Sequence, residues 1–126
     1  MLKISREADL GLLLMAELCS KKSLSLFEWT REKKLPYRFL SKIAGKLKLA
    51  GLIKSREGRE GGYWLNKKVT VGQIFKAIEG EKGVVACLQG QPCIAKKFCQ
   101  QRKILFKLNQ TLEKQLNQMR LEDLCH

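Results

Sequence analysis

Three cysteines stand at equal intervals, Cys87, Cys93 and Cys99, with five residues between each pair. Gly90 and Pro92 fall in the first interval and favour a turning backbone there. Thiolates are soft donors, and three on one loop can converge on a soft metal or an iron–sulfur cluster. A four-iron cluster takes four ligands, so the loop leaves one to be supplied from elsewhere. Zinc sites more often show a ligand pair two to four residues apart, and this spacing suits zinc less well. The other two cysteines read differently. Cys19 falls on the apolar side of a helix and reads as core, while Cys125 and His126 read as a frayed chain end rather than a metal pair. His126 is the single histidine, so no Ser/His/Asp or Cys/His nucleophilic system can be assembled, and no enzyme is expected.

A second chemistry lies in the charge. The chain of 126 residues carries a formal net charge of +13. Residues 21–68 hold 14 Lys/Arg against 4 Asp/Glu, so most of the excess sits in one stretch. A basic half on a small domain is the footprint of a polyanion binder. Within it, Pro36 to Leu49 reads as a basic helix that ends at Gly51. The major groove of DNA admits one α-helix, and a recognition helix presents its N-terminal residues to the bases. Those residues are Tyr37, Arg38, Ser41 and Lys42, with Lys46 and Lys48 further along for phosphates. Arg56 and Arg59 would flank the minor groove from a hairpin whose glycines, Gly61 and Gly62, let the backbone come close to the sugar-phosphate chain. A charged helix face can also be merely a solvated one. What favours DNA is that the charge, the helix pair and the hairpin share the same stretch.

The elements that must position these groups follow from pattern. Ser5 caps a first helix to about Cys19, with Leu12, Met15, Ala16 and Cys19 at helical spacing and Leu10, Leu13, Leu14 and Leu18 broadening the buried stripe. A second helix covers Leu26 to Lys33, with Ser23 or Ser25 near its start, and Leu35-Pro36 breaks it from the third. Phe39, Leu40, Ile43, Leu47 and Ala50 give the third helix its inner side. Leu52 to Arg56 and Tyr63 to Leu65 read as the two strands of a wing around a glycine-rich turn. Thr70 caps a short helix from Val71 to Ile78. A long helix from about Ala95 to Leu121 carries Leu105, Leu108, Leu112, Leu116 and Met119 in a heptad-like register. The core looks complete without it, so its stripe calls for a second copy of the chain. No signal segment is expected at Leu10 to Leu18, where Glu17 interrupts the apolar run, and no stretch reaches the ~20 apolar residues of a membrane span. A cytoplasmic location is expected, where thiols serve metals or redox sensing more often than structural disulfides.

The chain resembles the Rrf-type winged-helix regulators, the group that includes the IscR and NsrR types. The resemblance is carried by Leu2 to Ser5 with Asp9 to Leu12, by Leu47 to Ser55, by Gly58 to Tyr63, by Val69 to Ile74 with Ala77 to Gly80, and by the three cysteines. It implies a homodimer built on the long C-terminal helix, with each cluster loop near the partner's DNA-binding domain. IscR-like members have a histidine three residues after the last cysteine; here that residue is Arg102, which cannot ligate. NsrR-like members use an aspartate of the other subunit's first helix as fourth ligand to a four-iron cluster, and Asp9 stands at that position, with Glu7 a weaker candidate. The resemblance is therefore to the NsrR type, with a 4Fe-4S cluster favoured over 2Fe-2S. Two departures bear on the target site: Glu57 stands where many members carry Arg, and Ser41 where some carry Glu.

The expectation is a mainly α chain with a small β-hairpin wing. Residues 1–80 would form a winged helix-turn-helix, 81–99 a cluster loop, and 100–126 a dimerisation helix and tail. Its function would be that of a dimeric transcriptional regulator, a repressor type, whose grip on a double-stranded DNA operator depends on an iron–sulfur cluster. The alternative is a regulator of the same fold that holds no cluster and switches through its thiols or a small effector.

Overall fold

A computed structural model describes residues 3–58, 62–80 and 100–125. The elements run α1 (Arg6–Ser20), α2 (Leu26–Lys33), α3 (Tyr37–Leu49), β1 (Ile53–Arg56), β2 (Gly62–Leu65), α4 (Val71–Glu79) and α5 (Arg102–Gln118), followed by a 3₁₀ turn, Leu121–Leu124. The fold is mostly helical with one two-stranded antiparallel hairpin, as expected.

Each boundary has a local cause. The Ser5 hydroxyl accepts from Ala8 N–H and starts α1, and the Ser25 hydroxyl accepts from Glu28 N–H and starts α2. Pro36 precedes α3, where a missing N–H costs nothing. The helix stops because Gly51 takes a φ of 78°, which lets its N–H reach the Lys48 carbonyl and the Leu52 N–H reach the Leu47 carbonyl. Leu47 and Leu52 are both buried, which adds the apolar contact typical of this stop. Thr70 and Gln73 form a reciprocal cap on α4.

The core gathers Leu14, Met15 and Leu18 of α1, Leu40, Ile43 and Leu47 of α3, and Ile74 and Ile78 of α4. Of the expected stripe on α1, Leu14, Met15 and Leu18 are buried, together with Ala8 and Gly11; Leu10, Leu12, Ala16 and Cys19 are partly buried and Leu13 is exposed. Because α1 is apolar over more than half its circumference, its contacts with α3 and α4 decide which side faces inward. On α3, Ala44 joins the buried set, while Ala50 lies in the exposed stop.

The hairpin pairs Ile53 with Leu65, Lys54 with Trp64, Ser55 with Tyr63 and Arg56 with Gly62. Leu24, between α1 and α2, exchanges two backbone hydrogen bonds with Tyr63 and so extends the hairpin by one residue. At the base of the wing, Asn66 bonds both Gly51 and Leu52 carbonyls.

The C-terminal part corrects three expectations. The long helix ends at Gln118 instead of near Leu121, and among the described residues it begins at Arg102; residues 95–99 lie outside them. The chain then runs extended beside the start of α4. Val71 N–H donates to the Met119 carbonyl and Leu121 N–H to the Val69 carbonyl. Leu121, only 2% exposed, belongs to the core, so the core is not complete without the tail. The tail is also not frayed: Cys19 and Cys125 form a disulfide, with Cα atoms 5.8 Å apart. Helical periodicity shows neither link, because both depend on where a distant segment returns. Among the described residues no helix is long and apolar enough to cross a membrane.

Candidate nucleic-acid interface

The buried side of α3 leaves a continuous outer stripe. Arg38, Lys42, Gly45, Lys48 and Leu49 are all exposed and recur at three- and four-residue steps, with Ser41 half-buried beside them. Arg38 and Lys42 occupy the first turns, where a helix end reaches base edges. Gly45 sits mid-stripe in open space, with nothing within 4 Å of where a Cβ would stand. That gap lets another surface approach the helix backbone.

Tyr37 is exposed and stands edge-on to Phe27, with ring centroids 5.6 Å apart. Arg31 lies over the outer part of this pair, 5.9 Å from the Phe27 centroid. The ring pair holds Tyr37 at the start of α3 while leaving its edge in solvent. Burial, and then the neighbouring Tyr37 phenol, push the Tyr63 hydroxyl above its ordinary 10.0.

Lys46 does not belong to the outer stripe. Its ammonium donates to Glu7 Oε2 at 2.8 Å and to the Ile78 carbonyl at 3.2 Å. It thus ties α3 to the first turn of α1 and to the end of α4, where a cation suits the helix dipole. Ser5 reinforces this junction, its hydroxyl donating to Glu79 Oε1. Asp9 is exposed one turn beyond Ser5, and its N–H donates to the Ser5 carbonyl. Two links, Ser5–Glu79 and Glu7–Lys46, therefore hold the turn that carries Asp9 against α4 and α3.

In the wing, Arg56 is exposed at the end of β1, opposite Gly62. Lys54 is exposed as well, two residues before it, and so shares its face of the strand. Lys54 was not among the residues singled out from sequence, although the two-residue period of a strand points to it. Gly62 has a φ of 149°, and a Cβ there would stand 2.7 Å from the Leu24 carbonyl oxygen. Arg59, Gly61 and the three loop cysteines, Cys87, Cys93 and Cys99, lie outside the described residues.

Comparison with known proteins gives this arrangement a family. The Rrf2 family, described as an iron-dependent transcriptional regulator, matches residues 4–126. The chain is 30% identical over 93 residues to the HTH-type transcriptional repressor NsrR of Streptomyces coelicolor, a match covering 71% of this chain and 63% of that protein. It is 29% identical to the HTH-type transcriptional regulator CymR of Bacillus subtilis, over 98% of this chain and 90% of the other. The solved structure of that CymR superposes with a TM-score of 0.76 at 31% identity, covering 98% of this chain and 96% of that one. The IscR of T. potens, at 24% identity and a TM-score of 0.72, shares the fold over 97% of this chain and 85% of its own. A helix pair whose second member turns a basic side to solvent and a wing, joined to a family match over nearly the whole chain, place this protein in the Rrf2 family of winged-helix DNA-binding transcriptional regulators.

Proposed function

We propose that the chain is a dimeric regulator that binds a double-stranded operator through α3 and the wing, with a grip set by an iron–sulfur cluster on Cys87, Cys93, Cys99 and the partner's Asp9. The observation that carries this reading is the pair of links behind Asp9, Ser5–Glu79 and Glu7–Lys46. Through Lys46, a pull on the first turn of α1 reaches the recognition helix directly. Three thiolates and one exposed carboxylate suit a four-iron cluster, and a carboxylate-bound iron would be the easiest of the four to attack or displace. The family description as an iron-dependent regulator, and the similarity to the repressor NsrR, favour the same reading.

Arg38, Ser41 and Lys42 would read bases, with Tyr37 reaching a phosphate or a thymine methyl. Lys48, Lys54, Arg56 and Arg59 would hold phosphates, and Gly61 and Gly62 would bring the wing backbone close to the duplex. Dimerisation would use α5, whose Ile104, Phe106, Leu108 and Leu112 are exposed and which buries no residue within the described part of the chain. Residues 1–80, 81–99 and 100–126 would then serve as reader, sensor and dimer contact. Half-sites must match the distance between two recognition helices, so a small shift of α1 against α3 would be enough to weaken binding.

The test is Cys93→Ala. Anaerobically purified wild type should contain iron and sulfide and absorb visible light, and the variant should lose that absorption. Unchanged absorption would show the ligand assignment to be wrong. A cluster-free switch through thiols is the second reading, favoured by the Cys19–Cys125 pair and by similarity to CymR, the global cysteine regulator of B. subtilis. Iron and sulfide analysis of the same wild-type sample separates the two.

A further inference from the structure

The Cys19–Cys125 pair lies apart from every residue assigned above to DNA or to a cluster. It joins the last turn of α1 to the residue after the 3₁₀ turn. Beside it opens a pocket of about 290 Å³, whose lining includes Cys19, Asn66, Lys67, Lys68, Leu121 and Glu122. Cys19 is one of the lining residues and Cys125 is not, so the pocket lies on the Cys19 side of the pair. Lys67 and Lys68 against Glu122 give the lining residues a net positive charge.

We propose that this is a thiol-exchange site, addressed by a low-molecular-weight thiol that carries carboxylates. Its thiolate attacks Cys19 Sγ; the Cys19–Cys125 bond breaks, and Cys125 leaves as a thiolate that takes a proton from water. A second thiolate attacks the outer sulfur of the mixed disulfide on Cys19. That step releases the small-molecule disulfide and returns Cys19 as a thiol. One protein disulfide and two small thiols thus become two protein thiols and one small disulfide, and the same small disulfide, as oxidant, runs the sequence backward. The Leu121 carbonyl lies 3.9 Å from Cys19 Sγ and 3.6 Å from Cys125 Sγ, placed to accept from either thiol once the bond opens.

The exchange releases one of the ties that hold the tail. Others are the buried Leu121 side chain and the backbone bonds of Leu121 with Val69 and of Met119 with Val71. The open form should therefore keep its fold but let the end of α5 separate from α4 more often. The inference is independent of the cluster reading, because neither cysteine belongs to that donor set.

The full-length protein, first treated with excess oxidised glutathione, is the material for the test. Free thiols are alkylated and the protein is digested with trypsin. Residues 7–21 and 121–126 should appear as one linked peptide pair. Reduced glutathione should then give a transient adduct on the 7–21 peptide and free Cys125. At equal thiolate concentration and low salt it should open the bond at least about threefold faster than the cationic thiol cysteamine, as expected for a positive pocket. Lys67→Gln with Lys68→Gln should remove that preference without changing the fold. The Val71 and Leu121 amides should exchange hydrogen at least about fivefold faster in the opened protein. Failure to form the linked pair, an adduct on Cys125 instead of Cys19, equal rates for the two thiols, or unchanged amide exchange would each overturn the proposal. None of these results depends on iron content or on DNA, so the cluster reading stands or falls separately.

Discussion

Lys46 and Lys48 are two residues apart on the basic helix, yet the structure assigns them different work, and replacing each with alanine tells them apart. Lys46 Nζ bonds Glu7 and the Ile78 carbonyl, and both side chains of the ion pair are about one-third exposed, at 35% and 33%. An ion pair this open to water contributes less than about 1 kcal/mol, and the charged bond to the end of α4 adds a similar amount. Lys46→Ala should therefore cost about 1–2 kcal/mol. With a urea dependence of about 2 kcal/mol per molar for a chain of this size, the midpoint should fall by about 0.5–1 M. Lys48 is exposed, so Lys48→Ala should leave that midpoint unchanged. On DNA the order reverses. Each lost phosphate contact lowers the slope of log affinity against log salt by about 0.9, or about 1.8 for two protomers on one operator. Between 50 and 200 mM salt, the wild type's advantage over Lys48→Ala should thus shrink about twelvefold. Urea melts and fluorescence anisotropy on a labelled operator at four salt concentrations measure both quantities. If Lys46→Ala reduces the salt slope as Lys48→Ala does and leaves the urea midpoint untouched, Lys46 faces DNA and the reasoning is refuted.

Three further outcomes follow from local geometry. Gly62→Ala should destabilise by about 2 kcal/mol or more in a thermal melt, because the new methyl meets the Leu24 carbonyl at 2.7 Å and the backbone holds a φ that disfavours a side chain. Gly45→Ala should stabilise the free protein by about 1 kcal/mol, since it removes a helix-interior glycine without a clash, and should weaken DNA binding by filling the gap in the stripe. A gain in both measurements would show that nothing approaches α3 there. Tyr63 prefers its protonated form when folded, so its contribution is complete below pH 10.0 and is lost as pH rises through its higher folded value. Tyr63→Phe should remove that part of the alkaline loss, read from urea midpoints at pH 9 and above.

Much of the winged helix was legible because its boundaries rest on local chemistry. Ser5, Ser25, Pro36, Gly51 and Thr70 act through neighbours within a few residues, so type and spacing reveal them. The outward stripe of α3 was legible for the same reason, with one exception. Lys46 looks like Lys48 in sequence, and only the arrival of Glu7 and the end of α4 turns it inward. The inner face of α1 reads too broadly in the sequence because Leu12, Leu13 and Leu14 are equally apolar, leaving periodicity no edge to detect. Leu121 and the Cys19–Cys125 link are not legible in sequence because they join segments far apart in the chain, at a separation of 106 for the disulfide. No local pattern records such a meeting.

The pairing of residues 69–71 with 119–121 has a mechanical consequence. It closes a ring: the chain leaves the reader at α4 and is clipped back onto it after α5. Force applied anywhere on that ring reaches the same domain by two routes, one through Gly80 and α4, the other through α5 and the clip. A protease cut within residues 81–99 would open the ring without separating the pieces. Leu121, two backbone bonds and the sulfur link would keep α5 attached to the half that reads DNA.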